Sequence, residues 1–171
     1  MRRERRRKPE SVRFWEKVRK GGQDDCWEWT AGTFRGGYGM FTRTKEYGAT
    51  RPAPAISAHR WAFLECVGPI PEGMLVDHIC HNPQCVNPGH LRLATRKQNA
   101  ENHAGRARRD SSTGVRGVSK HGPGYRAIVR HHGKEHRTTV FPTIEQAEKA
   151  AIEMRNRLFT HNDKDKSAGH L

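Results

Sequence analysis

The apolar positions of this chain come in short clusters whose spacing changes from segment to segment, and each spacing predicts an element. In ESVRFWEKVRK, Val12, Trp15 and Val18 recur at helical spacing, which predicts a helix behind a basic arm running from Met1 to about Pro9. Charge repulsion should leave that arm disordered on its own. CWEWTAG and GYGMFTR read as two short strands joined by a glycine-rich loop. AISAHRWAFLECVG follows the 3.6-residue period through Ile56, His59 or Arg60, Phe63 and Cys66 or Val67, so it predicts a helix that Gly68 and Pro69 end. Cys66 falls on that apolar pattern and is expected as a core thiol.

Further along, MLVDHIC predicts a strand, LRLA a second strand, and TRKQNAENH a helix with Thr95 and Gln98 as its capping box. AGRARRDSST lacks apolar periodicity and reads as a linker. After it, GVRGVSK, GYRAIVRH and EHRTTVF predict three antiparallel strands with glycine-containing turns. TIEQAEKAAIEMRNRLF predicts an amphipathic helix capped by Thr143 and Gln146, burying Ala147, Ala150, Ala151, Met154 and Leu158. The organisation expected is a basic arm and helix over 1–22, a first module over 23–103, a linker over 104–113, a second module over 114–160 and a tail over 161–171. The fold class is α+β.

Composition then narrows the choices. Hydrophobic residues make up 33% of the 171, too few for one large core, so small modules held by something besides apolar burial are expected. Lysine and arginine total 32 against 18 acidic residues, a net charge of +14, and the excess is concentrated. Residues 1–20 carry ten basic and three acidic side chains, and residues 91–126 carry nine and two. Two such blocks favour a polyanionic partner, because each phosphate neutralised releases condensed counterions. A merely solvated basic surface is the plainer alternative. No stretch approaches the roughly 20 apolar residues of a membrane-spanning helix. No apolar segment follows MRRERRRKPE as one would in a secretory signal. An intracellular, reducing location is therefore expected, where Cys26, Cys66, Cys80 and Cys85 serve as metal ligands or buried thiols instead of disulfides.

The run DHICHNPQCVNPGH, residues 77–90, concentrates the chemistry. Cys80, Cys85 and His90 are spaced for one tetrahedral ion, zinc being the expected occupant, and a structural zinc takes a fourth ligand. Cys26 is the expected fourth, since Cys66 lies within an apolar helix. Zinc would add folding free energy that the thin core lacks. It leaves Asp77, His78 and Asn99 unexplained. Neighbours on a strand point to opposite sides, so Asp77 and His78 suit different roles. Oxygen ligands from Asp77 and from Asn99, in the first turn of the next helix, suit a hard ion such as magnesium. A histidine with an ordinary pKa near 6.5 suits proton abstraction from an attacking water.

VDHICHNPQCVNPGHLRLATRKQN resembles the HNH endonucleases, and its cysteine spacing is similar to that of the His-Cys box homing endonucleases. The resemblance spans roughly residues 26–103, including CWEWTAG, GYG and AHRW. It implies a strand-strand-helix (ββα) metal fold in which His78 is the general base, with Asp77 and Asn99 holding a catalytic magnesium or manganese. It also implies that Asn87 braces the loop and orients the base, that Arg60 contacts the scissile phosphate, and that Cys26, Cys80, Cys85 and His90 hold a structural zinc. No second zinc cluster follows residue 103, so a monomer and a homodimer both stay open.

TGVRGVSKHGPGYRAIVRHHGKEHRTTVFPTIEQAEKAA resembles the ethylene-response-factor (Apetala-type) DNA-binding domain, which is also found attached to phage homing nucleases. That resemblance implies a sheet laid in the major groove of double-stranded DNA, with Arg116, Arg126, Arg130 and Arg137 reading bases or clamping phosphates. Arg126 and Arg130 share a strand face with Ile128, so the helix must cover Tyr125, Ala127 and Val129.

Together these resemblances imply a zinc-stapled nuclease module followed by a sheet-and-helix DNA-binding domain, acting as a homing-type, site-preferring DNA endonuclease inside a bacterial or phage-infected cell. The alternative is a non-catalytic, zinc-stabilised DNA-binding regulator, and an RNA-directed nuclease also fits the charge.

Overall fold

The computed structural model describes residues 8–43, 54–102 and 111–168. The expected N-terminal arm up to residue 7 and the linker residues 104–110 lie outside them. The chain divides into two compact units, Met1–Thr95 and Arg96–Leu171. Among the described residues no helix is long and apolar enough to cross a membrane.

The first unit is built on aromatic rings. Helix α1 (Glu10–Trp15) runs under two turns before the chain enters strand β1 (Val18–Arg19), which pairs antiparallel with β2 (Glu28–Trp29). A helix that short buries one side chain well. That residue is Phe14, while Val12 of the expected apolar pattern stays exposed. Phe14 stacks on Trp61 at a centroid distance of 4.0 Å and meets Trp29 and Phe41 edgewise or tilted, each at 5.1 Å. Such rings bury large apolar areas per residue, which suits a chain short of aliphatic side chains.

Strand β3 (Met40–Thr42) pairs with β4 (Ala55–Ser57), and β4 leads directly into helix α2 (Ala58–Cys66). Ile56 therefore sits on a strand and not in the helix predicted for it. Helix α2 buries Ala58, His59, Trp61, Ala62 and Phe63. Cys66, expected in the core, is instead exposed at the helix end, because the buried face is set by Trp61 and Phe63 against Phe14 and Phe41. Gly39 allows the closest approach here: a Cβ on it would stand 2.7 Å from the Trp29 ring and 2.9 Å from the Ala58 Cβ. Strands β5 (Leu75–His78) and β6 (Leu91–Ala94) form an antiparallel pair, with Asp77 opposite Arg92 and His78 opposite Leu91. A 3-10 turn, Pro88–His90, delivers the chain into β6.

The second unit opens with α3 (Arg96–Glu101) and continues through β7 (Val118–His121), β8 (Gly124–His131) and β9 (Lys134–Phe141), an antiparallel sheet in that order. His132 and Gly133, at φ 48° and 73°, make the two-residue turn between β8 and β9. Helix α4 (Ile144–Leu158) packs Ala147 and Ala151 on Ala127 and Val118. Its buried stripe continues through Met154 and Arg155, with Leu158 only half-buried. Ala127 and Tyr125 pack with the helix as expected, Val129 is buried, and a bulge between Arg126 and Ile128 interrupts the β8–β9 register.

The residues taken for a tail form helix α5 (Asp163–Ala168). A buried ion pair between Arg155 and Asp165 anchors it, and Arg155 also donates to the Arg116 carbonyl at 2.8 Å. Helix α3 joins this unit through Arg116, which donates to the Glu101 carbonyl at 3.2 Å, and through Asn102, whose Oδ1 accepts from the Asp163 N–H at 3.3 Å. Lys97 adds contacts to the His131 and His132 Nε2 atoms at 2.9 and 3.1 Å. The division between units accordingly falls ahead of α3.

Candidate functional site

The segment before β2, the loop after β5 and the 3-10 turn before β6 bring four cysteine and histidine donors to one point. The ligand atoms of Cys26, Cys80, Cys85 and His90 all lie within 4.8 Å of one another. His90 Nδ1 stands 3.7 Å from Cys26 Sγ and 3.6 Å from Cys85 Sγ. With zinc–sulfur bonds of about 2.3 Å and zinc–nitrogen bonds of about 2.0 Å, a tetrahedron sets sulfur and nitrogen about 3.5 Å apart. The four residues therefore form a set able to hold zinc, with every tetrahedral position filled by protein.

The local chain explains the convergence. The loop is zipped to the segment that follows Cys26 into β2 by Trp29 N–H to the Gln84 carbonyl at 2.9 Å and Val86 N–H to the Trp27 carbonyl at 2.8 Å. Asn87, 3% exposed, donates from Nδ2 to the Gln23 and Asp25 carbonyls at 2.9 and 2.7 Å, and its Oδ1 caps the turn at the Gly89 N–H, 3.0 Å away. The side chain thus ties together the two segments that supply ligands. The sulfurs also interact: the Cys85 thiol's hydrogen bond lowers Cys80 to about 4, the same contact raises Cys85, and burial raises Cys26. A cation at their centre would favour thiolate at each.

Asp77 and His78 end strand β5, both buried. His78 Nε2 lies 3.0 Å from the Cys85 carbonyl. A carbonyl only accepts, so the proton sits on Nε2 and the basic lone pair of the neutral ring sits on Nδ1. Burial lowers the His78 pKa, which keeps the ring neutral at pH 7. The loop that carries Cys80 and Cys85 therefore also sets the tautomer of the histidine beside it. Asp77 Oδ2 accepts from Nε and Nη2 of its cross-strand neighbour Arg92, at 3.1 and 3.0 Å. Asn99 lies on α3 and belongs to the second unit. Arg60 is half-buried on α2.

Two further rings stand at His78. His59, 6% exposed, packs its imidazole 4.6 Å from that of His78, and Tyr38 lies 5.4 Å from His59 and 6.0 Å from His78. Among the described residues His59 Nδ1 is buried with no hydrogen-bond partner. Burial, followed by the charges of His78 and Arg60, lowers its pKa to about 3, so it too is neutral. The sequence placed Tyr38 in the GYG run and His59 in AHRW, both within the HNH resemblance, but assigned neither a role.

In the second unit the four arginines have different surroundings. Arg116 is half-buried, bonded to Glu101 and set over the Phe159 ring at 5.8 Å. Arg130 and Arg137 are exposed and share Glu135, whose carboxyl they hold below its usual range. Arg126 is half-buried, and its Nε is buried with no partner among the described residues.

Residues 57–101 match the family model described as HNH endonuclease. The match begins at the N-cap of α2 and ends with α3, so it takes in His59, Arg60, Asp77, His78, the loop ligands and Asn99 but not Cys26. The chain is 40% identical over 78 residues to "Protein 7.7" of Escherichia phage T7, covering 46% of this chain and 54% of the relative. It is 31% identical over 83 residues to "Protein 2.8" of the same phage, covering 48% and 52%. It is 35% identical over 102 residues to a protein named as an uncharacterized HNH endonuclease of Acanthamoeba polyphaga mimivirus, covering 59% and 52%. The chain spans about half the length of these relatives. No solved structure matches. The segment from α2 to α3 thus matches the HNH endonuclease type, set in a mixed helix-and-sheet chain, and it supplies three of the four residues of a Cys3His cluster that could hold a metal.

Proposed function

We propose that this chain is a DNA endonuclease that hydrolyses phosphodiester bonds with His78 as general base. The observation that carries this reading is the neutral His78 ring, fixed by the Cys85 carbonyl with its basic nitrogen at Nδ1, inside the segment matched by the HNH endonuclease model. In the reaction a water oxygen attacks phosphorus while its proton passes to His78 Nδ1, and the bond from phosphorus to the 3′-oxygen breaks. The products are a 5′-phosphate and a 3′-hydroxyl. Arg60 is the proposed contact to the scissile phosphate.

The carboxylate of Asp77 is an oxygen donor of the kind magnesium or manganese takes and would hold it, and the side-chain amide of Asn99 is a donor of the same kind. Such an ion, when bound, stabilises charge on the phosphate and on the leaving oxygen. The Cys3His set, having no open position, suits a structural zinc. In the second unit, Arg126, Arg130 and Arg137 on the sheet are the proposed DNA contacts, with Arg116 as a brace from α3 to α4. A three-stranded sheet with one covering helix is the arrangement that the resemblance to the ethylene-response-factor domain implies. This supports a site-preferring enzyme of the homing kind, working inside an infected host cell.

The test incubates the purified chain with phage and host DNA, with and without magnesium, and maps the ends. Metal-dependent breaks with 5′-phosphates support the proposal. Tight DNA binding without breaks on any duplex would favour the regulator reading.

A further inference from the structure

The loop from Thr33 to Gly39 presents one half-exposed ring to the site. Tyr38 is 42% exposed, yet its ring stands within 6.0 Å of His78 and 5.4 Å of His59. An aromatic side chain pointed partly into water beside a general base is poorly explained as core. The loop is also held rigidly. The Phe34 N–H donates to the Tyr38 carbonyl at 2.7 Å, the Gly37 N–H to the Phe34 carbonyl at 3.1 Å, and Thr33 bridges Gly39.

Its base is tied to the catalytic elements on both sides. The Gly39 carbonyl accepts from the Ala58 N–H at 2.8 Å, the first residue of the helix that carries His59. At the tip, Gly36 and Gly37 take φ values of 95° and 84°, and a Cβ on Gly37 would lie 3.5 Å from Pro83 of the zinc-ligand loop. The loop therefore crosses from α2 to the zinc-ligand loop, passing His78, and holds Tyr38 where it stands. The buried His59 ring packs against both residues, 5.4 Å from Tyr38 and 4.6 Å from His78, and its Nδ1 has no hydrogen-bond partner among the described residues. Beside Tyr38, Phe34 and Arg35 are exposed as well. An aromatic ring with an arginine beside it, on a preorganised loop of a chain with net charge +14, suits a nucleotide strand.

We propose that Tyr38 is a DNA-contacting residue of the nuclease site, its ring stacking on the nucleotide next to the phosphate that His78 serves. The inference rests on the endonuclease reading above. Loss of the ring removes a binding contact and leaves the base in place, so it moves the DNA concentration needed and spares the chemical step.

The experiment measures single-turnover cleavage of duplex DNA by the full chain in magnesium, across protein concentration, for wild type, Tyr38→Ala and Tyr38→Phe, with zinc content as the control for folding. Tyr38→Ala should raise the half-saturating concentration about tenfold, the effect of losing one aromatic–base stack. Tyr38→Phe should stay within about twofold of wild type, since the ring is kept. A parallel measurement on wild type avoids any dependence on a variant's folding: photo-crosslinking to duplex DNA carrying 5-iodouracil near the cleavage site, in calcium. A crosslink mapped to Tyr38 supports the proposal.

An unchanged half-saturation in Tyr38→Ala, or crosslinks that map only elsewhere, would overturn it while leaving the nuclease reading standing. Equal losses in Tyr38→Ala and Tyr38→Phe would overturn stacking by assigning the contact to the hydroxyl. A Tyr38 effect confined to RNA would overturn the choice of DNA. A wild type that cleaves no duplex would overturn the nuclease reading and this inference with it.

Discussion

The imidazoles of His59 and His78 lie 4.6 Å apart, both neutral, yet only His78 has its proton placed by a carbonyl. The pair is therefore chemically unequal. His78→Ala should fold, keep zinc and bind DNA while cleavage falls by about 10² to 10⁴-fold, the usual share of general acid–base catalysis. His59→Phe exchanges ring for ring and removes an unpartnered buried nitrogen, so cleavage should stay within about tenfold and stability within about 1 kcal/mol of wild type. Rates for the two variants beside zinc content check this, and a His59→Phe protein as inactive as His78→Ala would show that His59 handles a proton.

Zinc and the exposed thiol separate in the same way. Cys85 is fully buried among the cluster and Cys66 is exposed at the end of α2. Cys85→Ser should lose both metal and folded structure in the first unit, because structural zinc contributes folding free energy on the order of 10 kcal/mol. Cys66→Ser should lose neither. Metal analysis with circular dichroism reads both variants, and a folded, zinc-free Cys85→Ser protein would refute the assignment.

Much of this was legible because it is local. Cys80, Cys85 and His90 lie within one loop, so spacing alone points to one ion, and in the second unit the short runs between glycine turns predicted three strands while an amphipathic stripe predicted the helix over them. What failed depends on contacts distant in sequence. Helical spacing named Val12 as part of the apolar pattern, but a helix of under two turns is oriented by whichever ring reaches Trp61, and that ring is Phe14. The same period put Cys66 inside, whereas Trp61 and Phe63 choose the buried face. Tyr38 reaches His78 only because Gly39 lets the backbone close on Trp29 and Ala58, which no local pattern encodes. Helix α5 has the sequence DKDKSA, with no apolar stripe, and a single ion pair to Arg155 supplies what periodicity could not show.

That ion pair has a pH signature. Burial alone would raise the Asp165 carboxyl, but the hydrogen bond and charge of Arg155 outweigh it and the pKa is lowered. A carboxyl depressed on folding contributes stability that is present above its unfolded pKa, about 3.9, and is lost as pH falls through the lower folded value. Acid unfolding of the second unit should therefore soften in Asp165→Asn, which should also lose about 3 kcal/mol at neutral pH by leaving the buried Arg155 unpaired. Thermal melts at neutral and acid pH measure this. A difference from wild type that is the same at both would mean that the pair does not carry the pH dependence.

Glu135 restrains two of the proposed DNA contacts. It pairs with Arg130 and Arg137 together, and both arginines are otherwise exposed on the β8–β9 hairpin. A carboxylate there must give up its partners, or sit close to phosphate, when the sheet engages DNA, and either course costs affinity. Glu135→Gln keeps the shape and removes the charge, so it should bind duplex DNA more tightly and respond more steeply to salt, because more counterions are displaced per complex. The gain should appear on all sequences if the arginines clamp phosphates. If Arg130 reads a base edge, Arg130→Ala should instead cost about 1 to 3 kcal/mol at a preferred site and much less elsewhere. Binding isotherms for both variants at several salt concentrations, on specific and random duplexes, decide between these roles. Affinities unchanged in both would remove this hairpin from the DNA interface.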